Sequence, residues 1–375
     1  MEKILYIGGF ELPDKNAAAQ RVVANAKALK KIGYEVLFLG VTKNEKKVGY
    51  QFFENFKYLE RNYPQTLFHW IKYLVSIEQI VKIIEENKGI SKIICYNYPA
   101  VALYRLKMYC RKKNIKIFAD VTEWYQGEGN LIKKIIKNID TYLRMVKIHP
   151  QLDGLIVISK YLENFYKNKL KVIYIPPLVD INDKKWCRSS IIEKRKNNEL
   201  SLIYAGSPGK SKDKIDKVIS AIEKINSDKI KLIVIGLTKE EFKSNYSKCP
   251  IKLSNKNIEF LGRISHKNVL RILKEADFSI FYREKNKVTM AGFPTKFVES
   301  ISARVPVITS PTSDLESYLV DGNNGFWLEE NIEISLEKIL AENFEKLKRM
   351  KEKVNNKEFD YENYLNKFSE LFDDN

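Results

Sequence analysis

No stretch of this 375-residue chain reaches the roughly 18 consecutive apolar residues that a membrane-spanning helix needs. Met1 leads straight into a strand-like segment instead of a charged and apolar leader, which sets the expectation of a cytoplasmic protein. Cysteine is scarce: Cys95, Cys110, Cys187 and Cys249 lie far apart and in no metal-ligand spacing, so reduced structural thiols are expected in place of a disulfide framework. The three histidines, His69, His149 and His266, are likewise unspaced for zinc. There is no Gly-x-x-x-x-Gly-Lys-Ser/Thr loop, no full Gly-x-Gly-x-x-Gly fingerprint, no Asp-x-Asp pair and no RNA-binding motif. These absences argue against a P-loop nucleotidase, an NAD-dependent enzyme, a metal-dependent transferase and a nucleic-acid reader.

What the chain does have is basic charge on an ordinary globular composition. Hydrophobic residues make up 44% and charged ones 30%, which excludes a disordered chain, and the formal net charge is +18. Residues 1–180 hold 30 Lys and Arg against 17 Asp and Glu, so they carry +13 of that total. Such a surface attracts anionic lipid or a pyrophosphate-bearing substrate, or is only solvated lysine.

The length fits two domains of roughly 150 to 200 residues each. Lys3–Phe10 reads as a buried strand running into Gly8-Gly9, a helix follows over Asn16–Ile32, and the next strand comes after Gly33. Further strands are expected at Lys92–Tyr96, Ile115–Ala119 and Gly154–Ser159, with helices at Ala100–Lys113 and Lys160–Lys167. The Pro176-Pro177 pair cannot continue a helix and marks a boundary, giving domains 1–178 and 179–355. In the second series, strands fall at Leu200–Gly206, Lys231–Ile235, Ile258–Phe260, Phe278–Phe281 and Val305–Ile308, and helices at Lys212–Ile225, His266–Glu275 and Ser335–Lys353. Alternating strand and helix predicts two doubly wound parallel sheets, with ligands beyond the carboxyl ends of the strands.

The chemistry concentrates in Ala291–Ser310. Gly292, Phe293 and Pro294 form a turn, and a helix opening at Thr295 presents unpaired backbone N–H groups, with the cation of Lys296 beside them. Glu299, one turn on, is an acceptor-only carboxylate suited to the two hydroxyls of a ribose. Arg283 ends a strand ten residues before Phe293, and its fork suits phosphate oxygens. Ser207 and Lys212 in the loop after the Leu200–Gly206 strand also suit a phosphate, and Gly262, Arg263 and Ile264 offer backbone to a base edge. Gly8 and Gly9 read either as a tight packing turn or as a close approach to phosphate or sugar. Phosphate cradle plus diol acceptor suggests a nucleotide.

Together these pieces resemble the family 4 retaining glycosyltransferases of the GT-B fold. The matching segments are the Gly8-Gly9 turn, LIVIS ending at Ser159, IPPLVD, GSPGKSKDK, FLGRI, FPTKFVES, VPVITS and DGNNGF. The resemblance implies two Rossmann-like domains facing across a cleft, with residues 356–375 returning to the first, acceptor-binding domain. It implies transfer of a sugar from a nucleotide diphosphate to a glycan or polyprenyl-pyrophosphate-linked acceptor, with retention and without a metal or other cofactor, in surface polysaccharide or glycoconjugate synthesis. Arg283 and Lys296 are then expected at the leaving pyrophosphate, and Asp120 or Glu123 either orients the acceptor or is structural. Two departures stand out. Ala291 occupies the place of the first carboxylate in the family's Glu-x7-Glu pair, and Ser207 replaces the usual arginine. An epimerase of the same fold and a non-catalytic nucleotide-sugar binder are the alternatives. Leu131–Lys147 places Leu131, Ile135, Ile139, Tyr142 and Val146 on one side of a basic helix, and Phe52–Leu74 is rich in aromatics. The helix either packs on the sheet or lies on an anionic membrane, which makes the inner face of the plasma membrane a candidate location.

Overall fold

The computed structural model describes residues 2–44, 49–127, 131–187, 199–206, 212–247, 253 and 256–373. The chain divides into two compact units. One comprises Met1–Asp180, Ala291–Phe293 and Asp360–Asn375; the other comprises Ile181–Met290 and Pro294–Phe359.

The first unit is built on eight strands: β1 (Lys3–Gly8), β2 (Glu35–Thr42), β3 (Gln51–Phe53), β4 (Phe56–Asn62), β5 (Ile90–Tyr96), β6 (Lys116–Val121), β7 (Gly154–Val157) and β8 (Val172–Tyr174). They form one sheet in the order β3-β4-β2-β1-β5-β6-β7-β8, in which only β3 and β4 pair antiparallel. Ile4 to Ile7 are completely buried, as expected for a central strand covered on both faces. The helices are α1 (Ala17–Lys31), α2 (Leu67–Val75), α3 (Glu78–Glu86), α4 (Ala100–Lys112), α5 (Leu131–Tyr142) and α6 (Lys160–Tyr166). The Asn16 side chain accepts the Ala19 N–H and starts α1, and Gly33 at φ +100° turns the chain out of it. The β3–β4 hairpin was not expected from sequence, because its turn, Glu54-Asn55 at φ 43° and 64°, lacks a glycine.

The second unit carries β9 (Leu200–Ala205), β10 (Ile230–Ile235), β11 (Ile258–Gly262), β12 (Phe278–Phe281), β13 (Val307–Thr309) and β14 (Gly325–Trp327). Their order is β11-β10-β9-β12-β13-β14, all parallel. Its helices are α7 (Ile215–Ile225), α8 (Lys239–Asn245), α9 (His266–Glu275), α10 (Lys287–Ala291), α11 (Thr295–Ser302), α12 (Ile332–Leu340) and α13 (Phe344–Lys353). The single helix expected over Ser335–Lys353 is two, because the Asn343 side chain caps a new start by accepting the Lys346 N–H. α7 begins at Ile215, later than expected, because Asp213 is drawn into a bridge with Arg283.

The last helix, α14 (Leu365–Phe372), belongs to the first unit and closes its core. The Phe372 ring meets Phe118 and Tyr34 edge-on with centroids 5.0 Å and 5.1 Å apart. In each sheet the order of succession reverses beside one strand, β1 in the first and β9 in the second, and a glycine closes each: Gly8 and Gly206. Those reversals are where doubly wound sheets open a crevice for ligands.

Candidate active site

In the second unit the ends of β9 and β12 and the start of α11 converge on one carboxylate, Asp213. It accepts from Arg283 Nε at 2.6 Å, from the Lys296 ammonium, and from the Tyr204 hydroxyl at 2.9 Å. All three carry little exposed side-chain surface: 6% for Asp213, 10% for Arg283 and 13% for Lys296. Burial by itself would push the Asp213 carboxyl up, but the Lys296 and Arg283 charges outweigh it and hold the group far below the usual carboxylate range. Burial lowers Lys296, Asp213 raises it and Arg283 lowers it again, with a net downward shift. One anion between two cations leaves a net single positive charge in a poorly solvated place.

The backbone fixes this cluster. Ser310 accepts the Arg283 N–H at 2.9 Å and donates its hydroxyl to the Arg283 carbonyl at 2.6 Å. Lys214 N–H donates to the Tyr282 carbonyl at 2.9 Å. Lys296 lies 4.0 Å from the centroid of the Tyr204 ring, a cation–π contact that orients the ammonium. A Cβ on Gly206 would stand 3.2 Å from Lys296 Nζ, and Gly206 has φ +143°, so both space and backbone call for glycine at the end of β9.

Pro294 precedes α11 without any side-chain cap; the Phe297 N–H donates to the Pro294 carbonyl at 3.0 Å, and no side chain caps the amides of Thr295 and Lys296, a helix start suited to an anion. One turn on, Glu299 Oε1 is 3.0 Å from His266 Nε2, with both side chains partly exposed. Thr295 is half-buried at the start of α11, and Lys212 is half-buried next to Asp213. Gly262 ends β11 at φ +63°. Ile264 is half-buried, and Arg263 points into a surface ion pair with Glu241 at 2.6 Å. Ser207 lies outside the described residues. Gly292 and Phe293 are buried and grouped with the first unit, as is Ala291, whose carbonyl accepts from the Ser159 hydroxyl at 2.9 Å.

The first unit holds the remaining expected residues. Gly8 is a packing glycine: a Cβ there would approach Tyr96 Cβ to 2.7 Å and the Tyr96 carbonyl oxygen to 2.9 Å. Gly9 is freer, with the Tyr73 hydroxyl 3.5 Å from the place of its Cβ. Asp120, read from sequence as either an acceptor-orienting or a structural carboxylate, lies near the end of β6. Its carboxylate is fully buried and accepts from Tyr6 at 2.6 Å, Asn25 at 3.3 Å and the Arg21 fork at 2.8–3.0 Å. Arg21 in turn donates to the carbonyls of Ile175 and Pro176, so Asp120 ties the strand ends to the proline segment. Glu123, beyond β6, stays half-buried and keeps its candidacy. Sequence reasoning missed Asp213, Gly206 and His266. The Lys212-Asp213-Lys214 run resembles solvated loop, and only the approach of β12 and α11 reveals Asp213 as an internal counter-ion.

Two parallel α/β sheets with a C-terminal helix returned to the first define the GT-B fold. Two solved structures share it along almost the whole chain. Sucrose-phosphate synthase from Thermosynechococcus elongatus has a TM-score of 0.73 at 13% identity, covering 99% of this chain and 98% of that one. HepE from Anabaena, solved in complex with UDP and glucose, has a TM-score of 0.67 at 12% identity, covering 99% of each chain. Residues 189–357, which include the Asp213 cluster and α11, match the family Glycosyl transferases group 1. An uncharacterized glycosyltransferase of Methanocaldococcus jannaschii is 26% identical over 197 residues, 49% of this chain and 47% of that protein. The chain thus matches about half the length of this curated relative.

Proposed function

We propose that the protein is a retaining glycosyltransferase that takes a sugar from a nucleotide diphosphate, with UDP as the first base to test. The observation that carries this is the pair of cations, Arg283 and Lys296, tethered to one buried carboxylate beside the uncapped start of α11. Breaking a glycosyl phosphate bond puts negative charge on the leaving pyrophosphate. Cations already fixed in a poorly solvated site stabilise that charge without reorganising during the reaction. Backbone amides of α11 add to the same field, and Glu299, held by His266, is placed one turn away to accept from ribose hydroxyls. Attack from the face the leaving group departs retains the anomeric configuration, with the departing phosphate taking the acceptor proton.

The acceptor is a glycan or a polyprenyl-pyrophosphate-linked glycan met at a membrane surface, in surface polysaccharide or glycoconjugate synthesis. Among the described residues no helix is long and apolar enough to cross a membrane. The first unit nevertheless exposes apolar helix faces: α2 has no buried residue, and Leu131, Ile132, Ile135, Ile136 and Ile139 of α5 all face solvent. Lys133, Lys134 and Lys137 lie among the latter, a pattern that suits an anionic lipid surface.

Thermal shift against nucleotide diphosphates and their sugars, followed by assay of nucleotide diphosphate release, tests the donor reading. One base should raise the melting temperature selectively. Glu299→Ala should weaken nucleotide binding by about tenfold, and Arg283→Ala should lower kcat more than it raises KM. Unchanged values in both variants would remove the site from α11.

A further inference from the structure

A cavity of about 390 Å³ opens in the first unit between the end of β4 and the α2–α3 corner, far in sequence from the Asp213 cluster. Its lining includes Arg61, His69, Lys72 and Tyr73, and a single carboxylate, Glu78. Glu78 approaches Lys72 at 3.5 Å, but both side chains are well exposed, so the pair does little to neutralise the site.

Arg61 is the unusual member. It is the penultimate residue of β4 and lines the cavity, and no carboxylate pairs with it among the described residues. Nη1 donates to the Tyr98 hydroxyl at 2.9 Å, while Nε and Nη2 are buried with no hydrogen-bond partner. The Tyr73 and Tyr98 rings lie 4.4 Å and 5.3 Å from the guanidinium carbon. Aromatic faces stabilise a cation but do not cancel its charge. Buried charges are ordinarily paired, and an arginine kept out of water without an anion creates a positive potential that reaches into the cavity beside it.

α2 adds a second, independent feature. His69, Lys72 and Tyr73 recur at helical spacing and line the cavity, whereas Leu67 and Phe68, 78% and 72% exposed, and Ile71 are turned to solvent outside it. A helix of a water-facing surface shows the opposite arrangement. The Tyr73 hydroxyl also stands 3.5 Å from the place of a Gly9 Cβ, so the cavity wall adjoins the glycine turn at the end of β1.

We propose that this cavity is a phosphoryl-binding site, in which Lys72 and His69 contact a phosphate or pyrophosphate within the field of Arg61; where the phosphate belongs to a lipid, the apolar face of α2 receives its chain. The site itself stands apart from the donor reading; its assignment to the acceptor's pyrophosphate rests on that reading. The shared chemistry is the phosphoryl group, and its source is either a lipid headgroup or a free phosphate.

Calorimetric titration of the full chain, saturated with UDP to occupy the second unit, separates these. The probes are inorganic pyrophosphate, farnesyl pyrophosphate and farnesol. Both phosphates should bind, and Lys72→Gln, a change at an exposed position, should weaken both by about tenfold, as expected for loss of one charge-assisted contact. Arg61→Gln should weaken them further. Farnesyl pyrophosphate tighter than inorganic pyrophosphate by tenfold or more supports the lipid source, and equal affinity supports the free one. Affinities unchanged in Lys72→Gln, or farnesol bound as tightly as its pyrophosphate, would overturn the proposal. If UDP fails to bind, the donor reading fails, and the Lys72→Gln comparison without UDP still decides the cavity.

Discussion

Asp213 shows how one side chain changes the meaning of its neighbours. From sequence, Arg283 and Lys296 read as cations waiting for phosphate; in the structure they are already held by a carboxylate, which sets their positions before any ligand arrives. Removing one partner of such a buried set leaves charge uncompensated. Asp213→Ala should therefore lower stability by about 3–5 kcal/mol in urea unfolding, well beyond an ordinary surface change. The sign of the pH effect follows from the depressed folded-state carboxyl. Its stabilisation is present above the unfolded-state value of about 3.9 and is lost as pH falls below it toward the folded-state value. Wild type should thus lose more stability between pH 5 and pH 3 than Asp213→Asn does. Equal losses in the two proteins would mean that the carboxylate is not the coupled group. Asp120 teaches the converse. A strand-end carboxylate resembles a catalytic acid in sequence, yet Tyr6, Arg21 and Asn25 consume its acceptor capacity.

The helices most legible from periodicity are those whose apolar stripe is buried. α1 and α9 appear where their spacing and caps place them, with Asn16 and Ser265 accepting the first-turn amides. α5 is also legible as an amphipathic helix, but periodicity gives the stripe and not what covers it. Packing on the sheet and lying on a membrane were equally compatible with Leu131–Lys147. The structure buries only Thr141 within α5 and breaks the segment into a π-helical turn at Leu143–Ile148. The apolar positions of α5 therefore remain in water. Sedimentation with anionic liposomes should show binding that weakens with salt, and the double change Ile132→Asp, Ile136→Asp should reduce it several-fold. Binding unaltered by that pair would place the contact elsewhere.

The core of the first unit is completed from the far end of the chain. Phe368, Leu371 and Phe372 of α14 are buried with β1, β2 and α1 residues, and each contributes about 1.5–3 kcal/mol by leaving water. Their sum is comparable to the whole stability of a typical domain, about 5–15 kcal/mol. Deleting residues 361–375 should give a chain that is insoluble or lacks a cooperative unfolding transition. A soluble, cooperatively folded truncation would show that α14 is dispensable. The alternation of strands and helices, the buried runs of β1, β9 and β12 and the turn before α11 were readable from the sequence alone, because local periodicity and backbone constraints act over a few residues. The Asp213 cluster, the enclosed Asp120, the unneutralised Arg61 beside its cavity and the exposed face of α5 were decided only by tertiary structure. In each case the deciding quantity is the company a side chain keeps, and that is set by residues tens to more than a hundred positions away.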